Sequence, residues 1–418
     1  MNSGDTAWVL ASSALVLLMT VGLACFYGGL VRTKNSLNTM MMSVVALGAV
    51  GVLWVVVGYS IAFAPGTPWL GGLGWAGFRG VGLAPDPDYA ATIPQLAHAA
   101  FQGMFAIITP ALISGAIVER MRFRAYIAFI LLWSVVVYAP LAHWVWGTGG
   151  WLATRGTLDF AGGTVVHISA GVSALVAAVL LGPRRDYRRM PLAPHNVPLV
   201  LLGAGLLWFG WFGFNAGSAL AANGVATLAF VNTNTAAAAA LLTWAFFDLA
   251  RSKKVTAVGA ATGAVVGLVG ITPAAGYVSP LSSIAIGFAC AAISYTAIQI
   301  RSRTRLDDSL DVFSCHGLAG IAGALLTGVF ASRALNPGGA DGVLAGHPGQ
   351  LATQALAVLA SIALAAVGTV VTLTIVQLTL GARAGVHEEV DGLDRSEHGE
   401  EAYIAEALEQ GVIVSAAP

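Results

Sequence analysis

Long apolar stretches fill this chain, and its polar residues gather in the short segments between them. A helix needs about 20 mostly apolar residues to span a bilayer. Eleven runs reach that length, near residues 6–30, 40–64, 94–118, 125–146, 160–181, 197–218, 226–249, 255–273, 276–299, 313–331 and 351–381. The pattern predicts an all-α, polytopic membrane protein with eleven transmembrane helices. Residues 1–382 form the membrane domain and 383–418 a tail. Helices 1–5 cover about 6–181, helices 6–10 about 197–331, and helix 11 about 351–381.

The charges orient these helices. With the N-terminus outside, the outer segments hold only Arg79, Arg155 and Arg333 of the 20 Lys and Arg residues, and the inner segments hold the rest. Basic residues stay on the cytoplasmic side, so the expected topology is N-out, C-in. An error of one helix would scramble this alternation. Arg32 and Lys34 follow the first run and no basic residue precedes it, the polarity of an uncleaved first helix rather than a cleavable signal peptide. The tail is acidic, with Glu388, Glu389, Asp391, Asp394, Glu397, Glu400, Glu401, Glu406 and Glu409, and reads as a cytoplasmic extension.

Composition agrees with a lipid-facing surface. Charged residues make up 10% of the 418 and hydrophobic ones 57%, against roughly 25% charged in a soluble domain. The formal net charge of zero argues against a nucleic-acid partner, which needs clustered Lys and Arg. Cys25, Cys290 and Cys315 are odd in number, give no disulfide framework, and read as small buried hydrophobes. Stripes such as Gly259–Gly263–Gly267 read as close helix packing.

Ionisable groups inside spans are expensive and read as functional. His167-Ile-Ser-Ala170-Gly171 in the fifth span aligns with His316-Gly-Leu-Ala319-Gly320 in the tenth, and Asp159 and Asp311 stand upstream of the two histidines. Five is odd, so helices 1–5 and 6–10 run in opposite senses. Inverted repeats of this kind place a substrate site at the midplane, at their interface. A lone membrane histidine is most often a packing residue, but two at matching positions point to a pore pair. Paired imidazoles pass hydrogen bonds and exchange protons near neutral pH. A metal or haem site would need further ligands at the same depth, which the remaining histidines are not placed to supply. His98 and His143 read as vestibule or interface residues and Asp248 as a helix-end residue. Asp159 can cap the helix that follows it and aim a carbonyl, such as that of Ala161, at a passing cation. Phe101, Phe105, Trp144, Trp146, Trp211 and Phe214 cluster near span ends. They fit an interfacial aromatic belt or a cation–π cage, with the Ser218 hydroxyl as a further acceptor.

Five stretches carry a family resemblance. They are Phe26–Arg32, Ala100–Gly103, Asp159–His167 (DFAGGTVVH), Gly210–Ser218 (GWFGFNAGS) and Asp311–Gly317. Together, from about Asp5 to Tyr403, the chain resembles the ammonium transporter family (Amt/Mep/Rh). The resemblance implies a homotrimer of eleven-helix subunits, each with its own narrow pore, and no enzyme activity, cofactor or metal. It implies an outer recruitment site for NH4+ at Phe105, Trp146 and Ser218, with Asp159 close by. Phe101 matches an outer-vestibule aromatic, Phe105 and Phe214 a stacked gate, and His167 with His316 a twin-histidine pore. Thr262 stands where relatives have a pore-side serine. Trp146 and Ser218 resemble the bacterial Amt branch more than the Rh branch, and methylammonium is the expected analogue. The tail residues Gly392, Leu393, Asp394, His398, Gly399 and Tyr403 are similar to a motif that binds the PII signalling protein. The expected location is the plasma membrane. Two rivals are a membrane sensor for PII and an Rh-type channel for neutral gas.

Overall fold

The computed structural model describes residues 1–190 and 192–403, so Glu406 and Glu409 of the acidic tail lie outside the described residues. It is helical. Among the described residues ten helices are long and apolar enough to cross a membrane: α1 (Ser3–Leu30), α2 (Thr33–Phe63), α3 (Gln95–Ile117), α4 (Phe123–Trp146), α5 (Gly163–Leu181), α6 (Val197–Gly217), α7 (Gly224–Ser252), α9 (Pro280–Arg301), α10 (Phe313–Phe330) and α11 (Gly349–Leu380). The expected eighth span is the shorter α8 (Ala257–Ile271), of 15 residues. At 1.5 Å per residue this is about 22 Å, less than the run over 255–273 implies. Pro273 explains the early stop. It has no N–H to continue the helix, and its ring packs where a side chain at Gly163 would stand. Its carbonyl accepts from Phe160 N at 3.1 Å. The short α8 is therefore anchored at the entrance of α5.

Small residues let the helices approach closely. On α1, a Cβ at Gly22 would meet Leu206, Leu207 and the carbonyl of Gly203 on α6. Where α5 crosses α10, a Cβ on Gly171 would strike the backbone of Gly317, and one on Gly320 would meet Gly163 O and His167 Cβ. Each histidine is thus carried at a crossing that only glycine permits. Asp248 at the end of α7 accepts from Thr256 N and Oγ1 (3.2 and 2.6 Å) and ties α7 to the start of α8.

The Arg-rich ends meet in one buried ionic network. Glu119, in the left-handed region at φ 67°, accepts from Arg32 and from Arg184. Arg184 also grips Asp307 with Nε and Nη2, both at 2.9 Å. Arg32 pairs with Asp186 as well. Arg120, fully buried, donates to Ser309 Oγ and to the carbonyls of Ala116, Val118 and Asp307. Burial pushes the Glu119 carboxyl up, but Arg32 and Arg184 outweigh it and hold it below its ordinary value. A depressed carboxylate stabilises the fold above its unfolded pKa and loses that contribution as pH falls through the folded value. Glu119→Gln leaves Arg184 its Asp307 partner and Arg32 its Asp186 partner, so its cost should stay below the roughly 3 kcal/mol of a fully broken buried pair. A thermal melt in detergent at neutral pH should show the loss, and the difference from wild type should shrink as pH is lowered below the ordinary glutamate range.

The tail docks on this Arg-rich face. Arg383 donates to the carbonyls of Leu181 and Pro183 and pairs with Glu389. A short helix α12 (Val386–Asp391) follows. Gly392 (φ 104°) lies so close to Lys34 that a Cβ would clash with its carbonyl. Leu393 N donates to Asn35 Oδ1 at 2.8 Å, and the Asp394 carboxylate accepts from Leu37 N and Asn38 N at 2.9 and 2.7 Å. His398 reaches Asn38 and stacks edge-on against Phe123. Gly399 adopts φ 68°. The Tyr403 hydroxyl accepts from Asn196 Nδ2 at 2.9 Å. The motif expected to face a partner is therefore largely engaged with the chain's own segments on the Arg-rich face.

Candidate functional site

Asp159 sets the entrance. Its oxygens accept from the backbone N–H groups of Gly162, Gly163, Thr164 and Val165 at 2.9, 2.6, 2.8 and 3.1 Å. Four donors at a helix start, otherwise orphaned, are met by one carboxylate. Gly162 turns the chain at φ 106°, and a Cβ there would meet Val166 and the Trp146 ring. The helix then opens with a π-helical turn, Gly163–Ile168, in which His167 N bonds to Gly162 O at 3.0 Å. Such turns add one residue to the helical circuit and recur at functional sites.

The second histidine is built the same way. His316 lies in the π-helical turn Phe313–Leu318. The carboxylate that caps it is Asp308, which accepts from Val312 N and Phe313 N at 3.0 and 2.8 Å. The sequence reading paired His316 with Asp311, and the structure corrects that to Asp308. Asp308 precedes His316 by eight residues, as Asp159 precedes His167. Asp311 sits at φ 59° and pairs instead with Arg301 Nε at 2.6 Å.

The two imidazoles meet with Nδ1 to Nδ1 at 3.3 Å, rings stacked at 26°. One proton serves this contact, so one ring donates and the other accepts. His167 Nε2 is buried with no hydrogen-bond partner among the described residues. Trp211 stacks on His167 at 5.3 Å and donates its indole N–H to Thr272 Oγ1 at 2.9 Å. Trp211 is thus buried against His167, where it lines a small cavity, and does not face outward as a belt residue would. Beside it Phe214 stacks on Phe105, centroids 4.1 Å apart. A cavity of about 10 Å³, lined by His167, His316, Trp211, Phe214 and apolar side chains, lies at the histidines. That is scarcely the room of one water. Toward the Arg-rich face a cavity of about 310 Å³ opens, lined by His316, Thr262, Asp311 and Cys315 among others. His316 borders both spaces.

On the other side of the Phe105–Phe214 stack, Trp146 stands edge-on to Phe105 at 6.0 Å and donates to the carbonyl of Asp159 at 2.9 Å. The Ser218 hydroxyl donates to Phe214 O at 2.8 Å, which leaves its lone pairs available. Phe101 is buried and packs edge-on against Phe105 at 5.0 Å. Ala161 is fully buried beside Asp159, and the carbonyl that Trp146 engages is that of Asp159.

Several expected residues fall outside this column. Trp144 donates to Trp69 O and clusters with Trp69 and Trp151. His98 contacts Tyr59 within a buried aromatic cluster, and His143 reaches the carbonyls of Ala62 and Thr67. Both are buried with ring nitrogens engaged. Thr262 Oγ1 donates to Val258 O and faces the larger cavity. Among the described residues no group of three or more His, Cys, Asp or Glu converges as a metal ligand set. The sequence reading missed Asp308 and the Glu119–Arg184–Asp307 network. The eight-residue spacing from Asp159 to His167 was the signal that could have found Asp308.

The model of the Ammonium Transporter Family matches residues 7–403. An ammonium transporter of Bacillus subtilis (strain 168) is 48% identical over 96% of this chain and 99% of its own length. One of Aquifex aeolicus (strain VF5) is 49% identical over 96% and 94%. The crystal structure of Candida albicans Mep2 superposes with a TM-score of 0.88 at 36% identity, over 93% of this chain and 88% of that one. A structure described as a sensor Amt protein superposes with a TM-score of 0.85 at 30% identity, over 94% and 98%. From matches that run nearly end to end, the chain belongs to the ammonium transporter family.

Proposed function

We propose that this chain carries ammonium across a membrane by stripping the ion to ammonia at the Phe105–Phe214 stack. The observation that carries this reading is the continuous column Trp146, Phe105, Phe214, His167 and His316, which ends in a cavity open toward the Arg-rich face. Ammonium first exchanges water for ring faces. A desolvated cation–π contact contributes about 2 kcal/mol, and the Ser218 lone pairs accept an N–H. The Asp159 carboxylate is spent on four backbone donors, so it fixes the cage and lends its field without gripping the ion. That suits conduction, which needs an ion bound weakly enough to leave.

The stacked rings and the small apolar cavity beyond them disfavour a hydrated cation. At the stack one N–H proton passes from the ion to His167 Nε2, is relayed across the Nδ1–Nδ1 contact to His316 and leaves into the larger cavity, while neutral ammonia crosses beside the imidazoles. Potassium has no proton to surrender, so the route excludes it. The chain runs N-out and C-in through eleven helices, with α1–α5 and α6–α10 as inverted halves. The matching carboxylate–π-turn–histidine units at Asp159–His167 and Asp308–His316 support the repeat. The protein works as a homotrimer in the plasma membrane, and the docked tail is the part a PII-type partner reads in nitrogen control. Uptake of labelled methylammonium into proteoliposomes tests the function. Wild-type protein should accumulate it, and Ser218→Ala should raise the half-saturating concentration roughly fivefold by losing one hydrogen bond of about 1 kcal/mol. The neighbour described as a sensor favours a second reading as receptor, and absence of any flux would select it.

A further inference from the structure

Gln354 stands near the start of α11 and is fully buried. A buried side-chain amide brings two N–H donors and an oxygen with two lone pairs that need partners, and here all are met. Oε1 accepts from Leu158 N at 2.8 Å and from Gln350 Nε2 at 3.3 Å. Nε2 donates to Leu158 O at 2.7 Å and to Ala324 O of α10 at 3.0 Å. The side chain thus pairs with both backbone groups of Leu158, as a residue of a neighbouring strand would. Gln350, one turn earlier on α11, donates to Gly156 O at 3.0 Å. The start of α11 therefore holds the segment 156–158, and the next residue in the chain is Asp159.

We propose that Gln354 is a positioning residue for ion recruitment, whose amide fixes Asp159 from the upstream side and through it the Trp146 ring. The inference rests on the reading that Trp146, Phe105 and Ser218 receive the ion. Asp159 lies between two backbone anchors. Upstream, Gln354 grips Leu158 at both its N–H and its carbonyl. Downstream, Phe160 N donates to Pro273 O at 3.1 Å. Between them the Asp159 carboxylate meets the four N–H groups that open α5, and the Asp159 carbonyl accepts the Trp146 indole at 2.9 Å. Loss of the amide frees the upstream anchor, and the carbonyl that aims Trp146 then turns with the relaxed peptide. Packing alone would not need an amide, because methionine has the same length and no donors. The stem of Gln354 is itself pinned, since a Cβ at Gly328 of α10 would come within 3.0 Å of its Cγ. Gln354 does not line the cavity at the histidines, so it acts through Asp159 and not on the ion.

Methylammonium uptake into proteoliposomes, paired with backbone hydrogen exchange on the same full-length protein, tests this. Gln354→Met keeps the length of the side chain and removes its amide. It should raise the half-saturating concentration roughly tenfold, the loss of most of one cation–π contact, and leave the maximal rate per folded protein unchanged. Exchange should quicken over residues 156–165 and stay as in wild type along the rest of α5. Gln354→Asn is one methylene shorter and cannot span both Leu158 atoms. It should show a smaller shift of the same kind, and it decides the matter if the methionine variant fails to fold. Thr369→Val, farther along α11, removes an acceptor of the Trp133 indole N–H at 3.2 Å. That variant should melt earlier with neither change. Earlier melting of the Gln354 variants at an unchanged half-saturating concentration would overturn the proposal and leave the amide a packing element. So would a fall in maximal rate alone. Exchange is read without transport, so a wild-type protein that takes up no methylammonium would count against the transport reading, whereas unchanged exchange over 156–165 would sink the positioning role by itself.

Discussion

Replacing His167 and His316 together with leucine should lower ammonium-driven current in proteoliposomes roughly 100-fold, the lower bound for losing a positioned proton acceptor. The variant should still fold. Both rings are buried, at 1% and 4% exposure, and leucine is an apolar side chain of similar size. The Nδ1–Nδ1 contact at 3.3 Å couples the rings, so their effects should be non-additive. A single leucine leaves the other imidazole without its partner, and should cost nearly as much as two. Undiminished current in the double variant would reduce the pair to polar lining. A double variant with normal melting and no current is the outcome expected of a proton relay.

Asp159→Ala should be the most destabilising single change. It removes the acceptor of four buried backbone N–H groups. At roughly 1 kcal/mol or more per orphaned donor, the loss is about 4 kcal/mol, a large share of a typical folding stability. Asp159→Asn keeps one acceptor oxygen and should fall between. The π-helical turn of His167 begins at those four donors, so transport should fail in Asp159→Ala protein even when low temperature keeps it folded. Thermal unfolding and uptake, measured on the same preparation, separate the two effects. Unchanged melting in Asp159→Ala would show that water replaces the carboxylate.

The apolar runs placed ten membrane-length helices to within a few residues, except that α2 begins at Thr33, seven residues before its run, because lipid demands length and hydropathy that few other constraints imitate. They could not show that α8 stops at Ile271, since the reason is Pro273 packing on Gly163, a contact between distant segments. The histidine column was legible from two short motifs. The cap of His316 was not, because Asp311 lies nearer in sequence while Asp308 holds the backbone donors. Charges along the chain were read for orientation, but their pairing was hidden. Arg32 meets Glu119 across 87 residues and Arg184 meets Asp307 across 123. The tail motif stood out in sequence, and only the fold shows Asp394 spending its carboxylate on the start of α2.

An ion that sheds a proton at the stacked phenylalanines and travels onward as ammonia leaves potassium no route. Side-by-side recordings of ammonium and potassium gradients on one proteoliposome preparation test it most directly. Robust ammonium transport with no potassium current is the predicted result, and a potassium current of similar size would contradict it.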